Sequence, residues 1–147
     1  MQEQPRFSAA EVDLVLHATE AADRVLRSIS DSLQILPERF SRTPAEGHFK
    51  NKILLLKANL SSQEAAALAS RLTSLLNSSD RDELSTNLVR YLDEKGSLYL
   101  RIDKQRLCQG KVSLSESDSI RIRFRPVKRY RPAGSFDSYR GLLSSIE

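Results

Sequence analysis

The sequence predicts an α+β domain: a mostly antiparallel sheet with helices packed on one face. Three observations carry that prediction. The stretch SIRIRF alternates apolar Ile120, Ile122 and Phe124 with Arg121, Arg123 and Arg125, the period of a strand with one face inward and one outward. ILLLKANL, Ile53 to Leu60, is an apolar run of strand length. Between and after these lie segments with apolar residues at helical spacing. Strands in runs with segregated helices give α+β architecture.

The 147 residues suit one domain able to bury a core. Net charge is +4, so its distribution matters more than its size. From Ser119 to Arg131 there are six basic residues and no acid, which concentrates positive charge towards the C-terminus. Cys108 stands alone, so no intrachain disulfide forms and a Cys-based zinc site is excluded. This cysteine usage, and MQEQPRF without an apolar signal core, lead to an expectation of a reducing, cytoplasmic location. No apolar run approaches membrane-spanning length.

In chain order, Val12, Leu14 and Leu16 mark a first strand, Ala9 to His17. A helix follows from about Glu20 to Leu33, with Thr19 as its expected cap, and Pro37 ends that stretch. Residues 38–52 are hard to place; an edge strand around Arg39 to Glu46 and a turn at Gly47 to Asn51 fit. Ile53 to Leu60 reads as a central strand buried on both sides. Ser61 or Ser62 caps a second helix whose core face is Ala66, Leu68, Ala69, Leu72, Leu75 and Leu76, closed by Asn77 and Ser78. A third helix, Asp80 to about Arg90, takes Ser79 as cap. Asp93 to Ser97 is a turn. Leu98 to Asp103, Lys111 to Leu114 and Ile120 to Val127 read as strands, with a short irregular or helical piece at Lys104 to Gln109 capped by Asp103. Residues 1–127 form the expected domain and 128–147 a flexible basic tail.

Catalysis has little support: there is no phosphate-binding glycine loop, no nucleophile elbow and no metal-binding histidine pair. His17 reads as a strand-end residue and Cys108 as an inert, buried thiol. No cofactor and no metal are expected. The arginine row has two readings. One is a solvated face that guards a sheet against aggregation. The other, favoured because like charges in a row repel without an anionic partner, is a phosphate-contacting surface. Tyr99, Arg101 and Lys104 extend the same expected patch, with Tyr99 either stacking on a base or merely covering the sheet. The loop His48, Phe49, Lys50 is a second candidate contact, against an ordinary turn with Phe49 folded onto the core.

The segments EGHFKN–ILLLKANL (Glu46 to Leu60), LDEKGSLYLRIDKQ, GKVSL and SIRIRF (Leu92 to Phe124), with VDLVLHATE at the start, resemble an archaeal RNA-binding domain family described as a predicted exosome subunit. The resemblance implies a fold like that of ribosomal protein L5, no enzymatic activity, an archaeal cytoplasmic setting, and a partner that is RNA of processing or ribosomal origin. That family tends to have Gly where this chain has Lys50; the departure removes the usual mark of a special backbone angle and adds a charge that suits a polyanion. A protein-interaction module, docking RNA-processing or ribosomal proteins through Tyr130, Phe136, Tyr139, Leu142 and Leu143 of the tail, is the alternative.

Overall fold

The computed structural model describes residues 6–17, 20–127 and Tyr139, excepting the His48 side chain. Thr19 and the rest of the tail lie outside the described residues, so their expected roles do too. Five strands, β1 (Phe7–His17), β2 (Ser41–Glu46), β3 (Lys52–Leu60), β4 (Leu98–Asp103) and β5 (Ser119–Pro126), form one sheet in the order β2-β3-β1-β5-β4. Every pairing is antiparallel. Helices α1 (Ala22–Leu33), α2 (Ser62–Leu75), α3 (Ser78–Thr86) and the short α4 (Lys104–Cys108) accompany it. No helix among the described residues is long and apolar enough to cross a membrane.

Period-2 patterning decides which face is covered. Ala10, Val12, Leu14 and Leu16 of β1 are buried beside Leu56, Ala58 and Leu60 of β3 and Ile120, Ile122 and Phe124 of β5. Val25, Leu26, Ile29 and Leu33 of α1 and Ala65, Leu68, Ala69 and Leu72 of α2 complete the layer. Each Val, Leu, Ile and Phe among them contributes about 1.5–3 kcal/mol by leaving water, and each Ala less. Among the described residues no helix packs across the opposite sheet face, which carries the charged residues of β1, β4 and β5.

Several boundaries differ from expectation for identifiable reasons. β3 is buried on one face only, with Leu55 38% exposed beside Val15 and Thr43 on the outer face; a helix layer on one side asks for only one apolar face. Ser61 is the cap of α2, in a capping box with Glu64. The core stripe of α2 runs through Ala65 rather than Ala66, leaving Leu75 exposed. Asn77 opens α3 instead of closing α2, its side chain accepting from the Asp80 N–H at 2.8 Å. α1 begins at Ala22 with no side-chain cap. Residues 111–114 form no strand; Leu114 makes an isolated bridge to Ile102 and covers the β4 edge. Asp103 does cap α4, accepting from the Arg106 N–H at 2.9 Å. Cys108 is half-buried against the core.

Tyr139 also departs from expectation. It is 1% exposed, packs 6.2 Å from the Phe7 ring and donates its hydroxyl to the Gly96 carbonyl at 2.8 Å. A residue expected to serve a partner is part of this core.

Candidate nucleic-acid interface

The outer sheet face is built by register. Arg121 of β5 stands opposite Asp13 of β1 on one side and Arg101 of β4 on the other. One step along, Arg123 stands between Glu11 and Tyr99. Alternation alone puts these side chains outward; strand order makes them neighbours.

The arginine row is therefore not a bare cationic stripe. Arg121 pairs with Asp13, and Arg125 with Glu11. Lys57 lies 3.8 Å from Glu11, and Arg123 lies 3.9 Å from Asp93. Exposed pairs of this kind contribute about 0–1 kcal/mol each, but they lower the face's positive potential. Arg101 is exposed and makes no ion pair among the described residues. Its cross-strand neighbour is another arginine, an arrangement that destabilises by mutual repulsion. Arg101 is thus the arginine of this face that has no ion pair among the described residues.

Tyr99 is held in place there. The Arg123 guanidinium lies 5.3 Å from its ring centre, and its hydroxyl donates to Asp93 at 3.3 Å. Partial burial pushes the Asp93 carboxyl up. The N–H groups of Ser97 and Lys95, the Tyr99 hydroxyl and the Arg123 charge outweigh that and hold it below its usual range. The ring remains 42% exposed.

Lys104 does not belong to this surface. It opens α4 just past the end of β4 and is 0% exposed. Its Nζ donates to the Val15 carbonyl and to Glu20 Oε1, both at 2.9 Å, and lies 3.0 Å from Asp118. Burial pushes Glu20 up, but the His17 N–H and Lys104 outweigh it, and its carboxyl lies below the usual value. His17, Glu20 and Asp118 offer ligand atoms within 4.8 Å of one another, but the Lys104 ammonium occupies the cationic position between the two acids.

The second expected contact stands apart, at the β2–β3 hairpin tip. Gly47 N–H donates to the Asn51 carbonyl at 2.7 Å and closes the tip. Phe49 and Lys50 take left-handed angles, φ 58° and 59°. The special angle is present at Lys50 despite its side chain, at about 1–2 kcal/mol per residue. Phe49 is 93% exposed rather than folded onto the core.

A cleft of about 860 Å³ runs beside β4 and contains the predicted Tyr99, Arg101, Arg121 and Arg123 together with Asp80, Glu83, Arg90, Tyr91 and Glu116. Sequence reasoning missed the latter group. A weak signal was available: the Asp93–Gly96 turn returns the chain on itself, with a Leu92–Leu98 bridge, and so sets Tyr91 near Tyr99.

With the geometry in hand, comparison with known proteins gives a consistent picture. The family model described as RNA binding matches residues 9–125. RNA-binding protein PAB1135 of Pyrococcus abyssi is 31% identical over 124 residues, 78% of this chain and 80% of that protein. The crystal structure of protein AF2318 from Archaeoglobus fulgidus, of family DUF54, aligns with a TM-score of 0.77 at 28% identity, over 93% of this chain and 99% of that one. Mth689 of Methanothermobacter thermautotrophicus, a DUF54 protein, shares the fold at a TM-score of 0.74 and 22% identity, over 97% and 99%.

Proposed function

The chain belongs to the family described as RNA binding, and we propose that it binds RNA directly, through the β4–β5 side of its exposed sheet face. The observation that carries this reading is the Arg101–Arg121 cross-strand pair, two arginines in register of which Arg121 has an ion pair, with Asp13, and Arg101 has none among the described residues. A phosphate placed over the pair relieves their repulsion and accepts bidentate hydrogen bonds from either. Arg123 positions Tyr99, and Arg125, shared with Glu11, adds to the field at the far end. His48, Phe49 and Lys50 at the hairpin tip form a second contact in this reading, supported by the exposure of Phe49 and Lys50. The finer placement, binding without catalysis in exosome-linked processing or on ribosomal RNA, with a fold like ribosomal protein L5, is supported by the sequence resemblance.

The test is a salt titration of RNA affinity for the wild type and for Arg101→Gln/Arg121→Gln. Each phosphate contact contributes about 0.7–0.9 to the log–log slope. The double variant is expected to lose one to two such contacts' worth of slope while melting at the wild-type temperature. An unchanged slope and affinity overturns the assignment of this face.

A further inference from the structure

We propose that the cleft beside β4 is a subsite for one unpaired nucleotide of the bound RNA, an inference that rests on the RNA-binding reading and specifies the class of RNA. Its volume, about 860 Å³, falls within the range of small-molecule sites and exceeds what a single nucleotide needs.

The chemistry of the walls selects the ligand. A duplex presents mainly phosphates and 2′-hydroxyls to a protein, and a surface made for it would be basic throughout. This cleft is mixed. Its four arginines, Arg90 with three from the sheet, face five carboxylates, those of Glu11 and Asp13 on β1 with Asp80, Glu83 and Glu116. Carboxylates repel phosphate but accept hydrogen bonds from the imino and amino groups of a base's Watson–Crick edge, which pairing hides and an unpaired base leaves free. Glu83 is pre-oriented for such work: its two oxygens receive the Tyr91 hydroxyl at 3.3 Å and the Asn87 amide at 2.9 Å. Burial first, and then the Glu83 charge, push the Tyr91 phenol up, so it stays protonated as a donor.

Two further features point to a ligand. Tyr99 is a fixed, part-exposed aromatic platform backed by Arg123, and stacking on such a ring is how proteins hold splayed bases. Arg123 also lines the cleft, and its Nε is buried with no hydrogen-bond partner among the described residues. A buried donor left unpaired is costly. A base carbonyl in the cleft offers the missing acceptor once the Arg123 side chain turns to expose this nitrogen.

The experiment uses the full chain and three RNAs of equal length carrying 2-aminopurine at one position: a perfect duplex, the same duplex with that nucleotide bulged, and a single strand. Affinity is expected to be about tenfold or more higher for the bulged and single-stranded forms, the scale of one base–aromatic stack. The bulged 2-aminopurine fluorescence should be quenched on binding. Tyr99→Ala should remove the preference and the quench, and Tyr99→Phe should keep both, with circular dichroism verifying that each variant is folded. Arg101→Gln/Arg121→Gln should weaken all three RNAs alike. Equal wild-type affinity for duplex and bulged RNA overturns the nucleotide subsite and leaves RNA binding standing. Binding to none of the three overturns both.

Discussion

Replacing Lys104 with methionine separates a structural charge from an RNA contact. The residue is 0% exposed and its ammonium serves Val15 O, Glu20 and Asp118. Lys104→Met keeps most of the side-chain volume, so the loss is electrostatic rather than a cavity. The Glu20 bond is charge-assisted and that carboxylate is only 15% exposed; losing it costs about 1.5–3 kcal/mol. The part-buried Val15 carbonyl loses its Lys104 donor, at about 1–3 kcal/mol. Asp118 is 47% exposed and rehydrates, adding under about 1 kcal/mol. The expected destabilisation is about 3–5 kcal/mol, the usual scale for removing one partner of a buried ion pair. At about 2–4 °C per kcal/mol for a chain of this size, Tm should fall by about 6–20 °C. Thermal melting by circular dichroism and urea titration give the two measurements. RNA affinity, measured well below the melt, should stay within about twofold of wild type. A Tm drop under about 3 °C, or a large loss of RNA affinity in a fully stable variant, would refute the reasoning and return Lys104 to the binding surface.

Other outcomes are expected from the same geometry. Tyr139→Phe should cost about 1–3 kcal/mol in urea unfolding by stranding the Gly96 carbonyl, and Tyr139→Ala about 3–5 kcal/mol by emptying the ring site. Glu64 is held at about 2 by its hydrogen bond with Arg39, helped by the Ser61 N–H. A carboxyl lowered in the folded state stabilises above its usual 4.5 and loses that contribution as pH falls towards 2, so Glu64→Gln should flatten the dependence of Tm on pH across that interval. Lys50→Gly should leave stability equal or higher by up to about 1 kcal/mol, because glycine takes φ 59° without strain while losing more entropy on folding; its RNA affinity should fall with the lost charge. Asp13→Asn frees Arg121 from its carboxylate, so RNA affinity at low salt should rise by about two- to fivefold and its salt dependence should steepen.

What could be read from the sequence was what is local. The alternation of SIRIRF places Ile122 inward and Arg123 outward whatever lies beside them, and Ser61 with Glu64 marks the start of α2 three residues apart. The capping role of Asp103 is local in the same way. The character of the arginine face was not local. Glu11 and Asp13 already show in AEVDLVLH that they point away from the apolar side of β1, but only the strand order sets β1 against β5 and brings those acids to Arg125 and Arg121, more than a hundred residues away. The self-repulsion that argued for an external anion is thus largely answered from inside the sheet. It is not answered everywhere, and topology again decides where. β1 can serve only the strand it touches. β4 lies beyond β5, and Glu11 and Asp13 pair with Lys57, Arg125 and Arg121 rather than with Arg101. The same position brings β4 alongside α3 and the 115–116 segment, whose Glu83 and Glu116 line the cleft with Arg101. The proposed phosphate and base-edge contacts therefore meet on β4, a strand whose arginine the acids of β1 do not pair.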